Sequence, residues 1–486
     1  QEEVRVPMQR LYMTAENQDM VREMLRDLHG EESDENRYDS TKGMESLDTV
    51  WVSQANALQR RGRAGRVTSG ICFHLFTSHR YNYRLQEQPI PEIQRAPLEQ
   101  ICLRIKMLDI FKKTGVQDVL EQLPEPPEEE SIMAATKRLQ DLGALDENFE
   151  LTPLGYHLGS LPVDVRVGKL MLLGAIFRCL DPALTIAATL SFKSPFVSPF
   201  DKKDEASKKK LEFATGNSDH LTMVNAYKGW IEAKMGSSNS AYRFCHENFL
   251  SIKTLQMLAS MKQQFVELLS DIGFVKEGIV VRDVERAARD GSDGVIQVTG
   301  NEANVNSTNW KLVSAILVGA LYPNVVQVMK PENKFSHAST GAVPKALKPD
   351  ELKFRTKSDG YVHIHPSSIN FQVNYYESPY LVYHEKVKTS RVYIRDCSMV
   401  SVYPLLMFGG GSISVDLDRG SFVLSIDDGW IRFMADGSKV AELVRELRME
   451  LDQLLSDKIK NPHMDLCTCP KGSKIIDTIV KLITTQ

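Results

Sequence analysis

Residues 59–66 read QRRGRAGR, a stretch that concentrates four arginines and two glycines and contains no acidic side chain. A guanidinium group is always charged, and its planar fork matches the oxygens of a phosphate group. Glycine lets the backbone turn tightly or approach a ligand closely. If the stretch is helical, Arg63 and Arg66 lie on one face, at positions i and i+3. The pattern predicts a phosphate clamp, and the simpler alternative is a solvated basic surface or a general nucleic-acid patch.

Three short pieces precede this stretch in a fixed order: RYD at 37–39, KGM at 42–44 and SQANA at 53–57. Together with QRRGRAGR they resemble motif VI of superfamily 2 helicases and its lead-in, in the form found in the DEAH-box/RNA helicase A group. The likeness extends to the vertebrate type that also carries UBA, RWD and CCCH zinc-finger segments. The resemblance implies an RNA-stimulated NTPase that moves 3′ to 5′ along single-stranded RNA. By the same resemblance, Gln59 orients the γ-phosphate and the attacking water, Arg63 and Arg66 are arginine fingers, and Arg60 joins them in binding ATP.

Composition bounds what the chain can be. Its 486 residues, 42% hydrophobic and 25% charged, are ordinary for globular proteins and suggest three or four domains. The net charge of −4 means that any RNA binding must come from local basic patches. Seven scattered cysteines do not form a disulfide framework, and the lone CxC at Cys467 and Cys469 has no second pair at zinc spacing, so we expect no metal site. We found no signal peptide and no long apolar run, which favours a soluble monomer away from membranes, cytoplasmic, with a nuclear share left open.

The sequence pattern and further family-like segments divide the chain into parts of different character. The fold class that we predict is multi-domain, with α/β, α and β parts. The predicted parts are an unassigned N-terminal arm (1–36), the end of a second RecA-like domain (37–96), a winged helix (97–160), a helical ratchet-like domain (161–309), an OB-fold β-barrel (310–435) and a C-terminal helix and tail (436–486).

Hydrophobic periodicity predicts individual elements within these parts. An apolar run indicates a buried strand over 67–77, and the acidic, glycine- and asparagine-rich stretch 283–306 is typical of a mobile linker. Helical spacing predicts helices over 98–111, 131–142 (capped by Ser131), 169–177, 182–192 and 438–458.

Two further regions resemble RNA-facing parts of the same family. The stretch NSDHLT at 217–222, with NAY at 225–227 and Trp230, resembles the ratchet-like domain, and VHIHPSS at 362–368 with YHEKVKTS at 383–390 resembles the OB-fold. Basic and aromatic residues alternate along the predicted strands, a combination that suits single-stranded nucleic acid, although such aromatics also build barrel cores. The RNA-binding residues that we predict are Asn217, Ser218, His220, His365, Ser367, Lys386, Lys388 and Arg391.

The sequence contains no Gly-x-x-x-x-Gly-Lys-Ser/Thr phosphate loop and no credible magnesium-binding acidic motif. The complete helicase that the resemblance implies uses ATP and Mg²⁺, and we expect this chain to be inactive by itself. Two hypotheses follow: an enzyme whose N-terminal half lies outside the chain, or a truncated, non-catalytic module that binds RNA or a partner such as a protein activator. An incompletely assembled gene sequence is a third interpretation.

Overall fold

A computed structural model describes residues 32–39, 43–64, 66, 72–111, 114–329, 335–338, 341–344, 348–389, 391–466 and 469–485. Most of the predicted N-terminal arm therefore lies outside the described residues. The first elements are an antiparallel hairpin followed by two helices: β1 (Glu32–Asp39), β2 (Met44–Trp51), α1 (Gln54–Arg63) and α2 (Ser78–Tyr83).

Helix α1 begins where the Ser53 hydroxyl accepts a hydrogen bond from the Asn56 N–H, at 3.1 Å, and it ends at Arg63. Arg66 lies in a bend beyond the helix, so the expectation that Arg63 and Arg66 share one helical face is wrong. The predicted strand at 67–77 is not formed in its described part, since residues 72–77 are irregular; residues 67–71 lie outside the description.

The next part packs helices around a small two-residue bridge between Leu145 and Leu151. The helix predicted over 131–142 begins earlier than expected, because its N-cap position is Glu128 and not Ser131. The buried Glu99 carboxylate accepts from the Arg138 guanidinium and ties the first helix of this part to the third. Its helices are α3 (Glu99–Met107), α4 (Val116–Leu120), α5 (Glu129–Asp141) and α6 (Pro153–Ser160).

A mainly helical part follows: α7 (Val165–Ile176), α8 (Leu180–Ser191), α9 (Lys203–Glu212), α10 (Asp219–Gly236), α11 (Ser238–Glu247), α12 (Ile252–Asp271), α13 (Val281–Ala287) and α14 (Val295–Thr299). Helices α7 and α8 are buried almost all round, which confirms the two apolar helices predicted there. Tyr227 and Trp230 are each 2% exposed, so both rings belong to the core.

The stretch 283–306 is not a mobile linker, because it is folded against α8 and α12 around a buried charge. The Lys262 ammonium is fully buried and lies 2.7 Å from Asp181 Oδ1 and 2.5 Å from Asp293 Oδ2. Burial alone would lower the pKa of Lys262, but the two carboxylates outweigh it and hold that pKa above its usual value. Asp293 thereby fixes a segment whose composition suggests a loop.

The OB-fold part begins with the buried helix α15 (Trp310–Leu321) and continues through β3 (Val325–Met329), β4 (Phe335–Ala338), β5 (Gly341–Pro344), β6 (Lys353–Thr356), β7 (Gly360–Ile364), β8 (Tyr380–Lys388), β9 (Val392–Met399) and α16 (Val402–Phe408). The sheet order is β1-β2-β8-β3-β6-β7-β9, and a further β8–β9 pairing closes the barrel. Strand β2 joins it in parallel with β8, where Ser46 pairs with Lys388.

The C-terminal part consists of a three-stranded sheet and two helices, β10 (Ser414–Asp418), β11 (Ser421–Ile426), β12 (Ile431–Ala435), α17 (Ser438–Lys460) and α18 (Pro470–Thr484). The helix predicted over 438–458 is confirmed, whereas α18 was missed. The Arg448 guanidinium of α17 donates to the carbonyls of Leu406 and Gly409, which anchors this part to the end of α16.

We expect Lys262→Met to lower the free energy of unfolding by about 3–5 kcal/mol at neutral pH, because it leaves two buried carboxylates without their cation. The loss should shrink as the pH falls, since an uncompensated buried carboxylate takes up a proton more readily. Urea unfolding followed by circular dichroism measures both effects.

The matched control is Lys209→Met, which removes an exposed pair with Glu212 and should change the unfolding free energy by less than about 1 kcal/mol. Equal unfolding midpoints for the two variants would show that the buried ion pairs do not hold this part together.

Candidate functional site

The arginines of residues 59–66 lie on a solvent-facing surface at the end of α1. The start of the helix is held in place, because Ala57 is buried and the Gln54 side-chain amide donates to the carbonyls of Tyr81, at 2.7 Å, and Leu85, at 3.2 Å. Its last turn carries cations, which the helix dipole favours at a C-terminus. Gln59, Arg60, Arg61, Arg63 and Arg66 are all exposed.

Within the described residues, none of these four guanidinium groups has a carboxylate at ion-pair distance. Their positive charge is therefore not neutralised by a neighbouring side chain. A phosphate group that approaches this end of α1 would meet a fork of N–H donors without breaking an internal salt bridge.

The two family-like stretches at 217–222 and 362–368 bind each other rather than solvent. The Asp219 carboxylate, 2% exposed, accepts three hydrogen bonds: from the Ser368 hydroxyl at 2.5 Å and from the N–H groups of Ile369 and Cys397 at 2.9 Å each. The start of α10 is thus bound to the turn after β7 and to strand β9. These bonds form the joint between the ratchet-like part and the OB-fold.

Ser218 and His220 are part of this joint, which corrects the expectation that they face RNA. Both are fully buried, and each lies 2.6 Å from the hydroxyl oxygen of Ser398 on β9. Burial, and then the nearby His384, lowers the pKa of His220 to about 3, so its imidazole is neutral at physiological pH. Neither side chain offers a cation or an accessible donor to a phosphate.

Asn217, His365 and Ser367 lie nearer the surface, at the rim of the joint. Ser367 is exposed, and its backbone carbonyl accepts from the Lys210 ammonium at 2.6 Å. His365 is half-buried, with 2.7 Å between its Nδ1 and the Ser367 hydroxyl. Burial, followed by the charges of Arg395 and Lys210, lowers its pKa. A role for these three residues in RNA binding stays a prediction.

The basic residues predicted on β8 and β9 fall into two classes. Lys386 lines the cleft but is only 7% exposed, and its ammonium lies 2.7 Å from Asp359 Oδ2, so its charge is already paired and the expectation of RNA contact is corrected. Lys388 and Arg391 are exposed at the turn between the two strands. These two remain candidates for a phosphate contact.

A cleft of about 610 Å³ lies where the hairpin, helix α3, the ratchet-like part and the OB-fold meet. Arg104, exposed on α3, lines it together with Arg166 and Gln264. These residues were not predicted from the sequence, because they come from distant segments of the chain. One local pattern could have indicated this polar surface, since Gln100 and Arg104 are four residues apart and therefore lie on one face of the helix predicted over 98–111.

Several polar atoms that line this cleft have no hydrogen-bond partner within the described part of the chain: Tyr38 Oη, Gln100 Oε1 and both ring nitrogens of His384. Burial, then the charge of Glu99, raises the pKa of Tyr38 to about 12, so its hydroxyl remains a donor. Burial, then Arg166, lowers the pKa of His384 to about 4. These atoms are buried and therefore not accessible to a ligand, whereas the exposed Arg104 guanidinium presents a cation in the cleft that suits a sugar–phosphate backbone.

The described residues contain no group of three or more His, Cys, Asp or Glu side chains placed to hold a metal ion. The exposed guanidinium groups of α1 fit the phosphate oxygens of a nucleotide, whereas the residues in the described ranges do not fit the carboxylate set that Mg²⁺ prefers. Across the same ranges, no helix combines the length and apolar composition needed to cross a membrane.

Four family models match consecutive parts of the chain. They are the winged-helix part of the helicase-associated domain at 135–163, its ratchet-like part at 164–223, the oligonucleotide/oligosaccharide-binding (OB)-fold at 313–413 and the C-terminal domain in RNA helicases at 423–485. The C-terminal match includes β12 and most of β11, and β10 lies between the last two matched ranges.

Comparison with individual relatives indicates the same family. The chain is 63% identical to an ATP-dependent RNA helicase of Mus musculus, DHX57, over 93% of this chain and 32% of the relative. It is 42% identical to the ATP-dependent DNA/RNA helicase DHX36 of Bos taurus and 40% identical to the helicase DExH1 of Arabidopsis thaliana, with 93% of this chain and 41% of each relative covered. The chain thus spans a third to two-fifths of these proteins' lengths. It is homologous to the C-terminal region of DEAH-box RNA helicases and carries the helicase-associated, OB-fold and C-terminal domains of that family.

The joint between the ratchet-like part and the OB-fold predicts a specific pH dependence. Asp396 is half-buried with a φ of 51°, and burial and then the charge of Asp219 raise its pKa to about 6. Its ionised form is therefore disfavoured in the folded state. Above pH 6 this costs stability, and the cost disappears as the pH falls towards 4, because the folded state then binds the proton more tightly than the unfolded state.

We expect Asp396→Asn to raise the free energy of unfolding at pH 7.5 by up to about 3 kcal/mol, with the gain vanishing near pH 4. Asparagine tolerates a positive φ, so the backbone need not change. Urea unfolding at a series of pH values measures the gain, and the exposed Asp416→Asn serves as control. A gain that is independent of pH would contradict the assignment.

Proposed function

We propose that this chain, homologous to the C-terminal region of DEAH-box RNA helicases, binds single-stranded RNA and supplies arginine fingers for ATP hydrolysis. The observation that carries the proposal is the set of exposed, unpaired arginines at the end of α1. An unpaired arginine cluster on a firmly held helix is costly in self-repulsion and is suited to a polyanionic ligand.

In the proposed nucleotide site each residue has a separate role. Arg60 binds phosphate oxygens, Gln59 orients the attacking water, and Arg63 with Arg66 stabilises the charge that develops on the transferred phosphoryl group. Gln59, Arg60, Arg63 and Arg66 would hold the phosphates of ATP, whose hydrolysis with Mg²⁺ would supply the energy of translocation.

RNA is proposed to pass through the cleft where the hairpin, α3, the ratchet-like part and the OB-fold meet. Arg104 and Gln264, which are exposed and line the cleft, contact the sugar–phosphate backbone. These groups read no base edge in a duplex groove, so binding is independent of sequence. Lys388, Arg391, Asn217, His365 and Ser367 remain proposed contacts.

The alternative is a module that binds RNA or a partner without turnover. The sequence feature that favours it is the lack of a phosphate loop and of a magnesium-binding acidic motif within these 486 residues. We propose in addition that the chain is a monomer, that it binds a protein activator and that it is located in the cytoplasm.

We expect the chain by itself to hydrolyse ATP negligibly, with or without RNA. Addition in trans of the N-terminal remainder of the Mus musculus relative should restore RNA-stimulated hydrolysis. Arg66→Ala should then lower kcat by at least about 10³-fold, as loss of an arginine finger does. Phosphate release measures turnover.

Arg61→Ala is the matched control for this experiment, because Arg61 is exposed on the same solvent-facing surface as Arg66 but has no proposed role in the nucleotide site. Turnover by the chain alone that Arg66→Ala abolishes would contradict the expectation of an inactive chain, since it would show that the chain completes a nucleotide site that includes Arg66. Equal effects of the two variants would show that the arginines contribute only a general positive charge and that Arg66 has no specific role as an arginine finger.

For the cleft, Arg104→Glu should weaken binding of a fluorescent oligouridylate by about 10-fold or more at low salt and flatten the salt dependence by about 0.7 for each lost phosphate contact. Arg445→Glu, an equal charge reversal at an exposed position of α17, is the control and should change affinity little. Fluorescence anisotropy gives both quantities. If the two variants bind alike, RNA does not pass through this cleft.

A further inference from the structure

At four positions of the sequence a serine or threonine is followed directly by proline, the pattern that proline-directed protein kinases recognise. They are Thr152-Pro153, Ser194-Pro195, Ser198-Pro199 and Ser378-Pro379, and all four lie within the described residues. A kinase of this class needs an accessible hydroxyl group to modify and an accessible proline ring to bind. The fold therefore decides which of the four sites can be phosphorylated.

Two of the four hydroxyl groups are engaged or buried. Thr152 caps α6, and its hydroxyl donates to the Gly143 carbonyl at 2.7 Å and accepts from the Gly155 N–H at 3.0 Å. Ser378 is 9% exposed, and its hydroxyl oxygen is buried. A kinase cannot reach either group without unfolding the surrounding segment.

The Ser194 site is closed on its proline side. Ser194 is exposed, but its hydroxyl accepts from the Phe196 N–H at 3.4 Å, and the Pro195 that follows it is buried. The Pro195 carbonyl accepts from the N–H of Ser251, the N-cap residue of α12, at 2.8 Å. A kinase that binds Pro195 would have to pull this segment away from α12.

Ser198 is the position among the four that meets both conditions. Ser198, Pro199 and Phe200 are all exposed, Phe200 to 90%. The Val197 N–H donates to the Phe249 carbonyl at 2.9 Å, which holds the chain just before Ser198. A residue that precedes proline is biased towards an extended backbone, the conformation in which kinases bind their substrates. The segment therefore presents both the hydroxyl group and the proline ring to solvent.

The surroundings of Ser198 also suit the phosphate group that the modification adds. Ser198 and Lys203, the first residue of α9, line a recess of about 530 Å³ between α9 and the turn after β7. The Lys203 ammonium lies 4.8 Å from the centre of the Phe200 ring, and across the described ranges it has no carboxylate at ion-pair distance. The carboxylates of Asp219 and Asp396 also line the recess, and their repulsion favours a position of the phosphate beside Lys203.

We propose that Ser198 is a phosphorylation site for a proline-directed protein kinase and that its phosphate pairs with Lys203. In the transfer, the Ser198 hydroxyl oxygen forms a bond to the γ-phosphorus of ATP held by the kinase. The bond from that phosphorus to the β,γ-bridging oxygen breaks, ADP leaves, and the hydroxyl proton passes to a base of the kinase. The phosphate carries a charge of about −1.5 to −2 at neutral pH and changes the lysine-rich start of α9 from a cationic to an anionic surface.

The test treats the folded full chain with ATP and, in separate reactions, with a mitogen-activated and a cyclin-dependent protein kinase. Mass spectrometry of the digested chain should find the phosphate on Ser198, and Ser198→Ala should reduce incorporation to background. Ser194→Ala removes the same dipeptide pattern at the site with the buried proline, so this matched control should leave incorporation unchanged.

Equal phosphorylation of Ser194 and Ser198 would overturn the argument from proline exposure. Absence of phosphate from Ser198 in the folded chain with both kinases would overturn the proposal itself. A synthetic peptide of residues 191–203 then locates the cause. Phosphorylation of the peptide alone would show that the fold shields Ser198, and an unmodified peptide would show that the sequence is not a substrate.

Pairing with Lys203 is tested on the phosphorylated chain by a phosphorus NMR titration. A neighbouring ammonium favours the dianion, so the pKa of the phosphate should lie below that of the phosphorylated peptide 191–203. Lys203→Met should raise this pKa towards the peptide value. Lys208→Met, an exposed lysine of α9 that does not line the recess, is the control and should leave it unchanged. Equal pKa values in the two variants would show that the phosphate does not pair with Lys203.

Discussion

The arrangement of the cleft between the ratchet-like part and the OB-fold depends on one buried carboxylate, that of Asp219. It sits at the first turn of α10, where the helix dipole favours a negative charge, and it accepts three hydrogen bonds from the OB-fold. An unpaired charge in this position would cost several kcal/mol. The Asp219 carboxylate of the ratchet-like part therefore needs the hydrogen-bond donors of the OB-fold. The walls that the ratchet-like part and the OB-fold contribute to the cleft are thereby held in a fixed relation.

Regular elements could be predicted from the sequence wherever one physical signal dominated. The buried helices α7 and α8 and the long amphipathic α17 follow from apolar periodicity, and the barrel strands follow from alternation. The prediction of a mobile linker over 283–306 was wrong, because the composition of this stretch resembles a linker while its fold depends on a distant partner, Lys262. No local pattern reports an ion pair between residues 31 positions apart.

The candidate site was predictable in kind and only partly in detail. Exposed arginines at the end of α1 follow directly from the sequence. Ser218, His220 and Lys386 were assigned to RNA because polar residues in a family-like stretch suggest a ligand. Their burial depends on contacts with distant segments: Ser218 and His220 contact Ser398 across the domain joint, and Lys386 contacts Asp359 within the OB-fold. Polarity alone cannot separate a side chain that binds a ligand from one that satisfies a distant part of the same chain.

The hairpin β1–β2 links the arginine surface to the RNA-facing sheet by covalent and hydrogen-bonded contacts. Only Val52 and Ser53 separate the end of β2 from the start of α1, and both are buried. Strand β2 in turn pairs with β8 through Ser46 and Lys388. Because hydrogen-bonded strands resist sliding past one another, α1 cannot shift along the barrel without breaking that pairing or bending this short connection. The physical connection between the proposed nucleotide site and the proposed RNA surfaces therefore runs through one sheet, and changes at either end are constrained by its register.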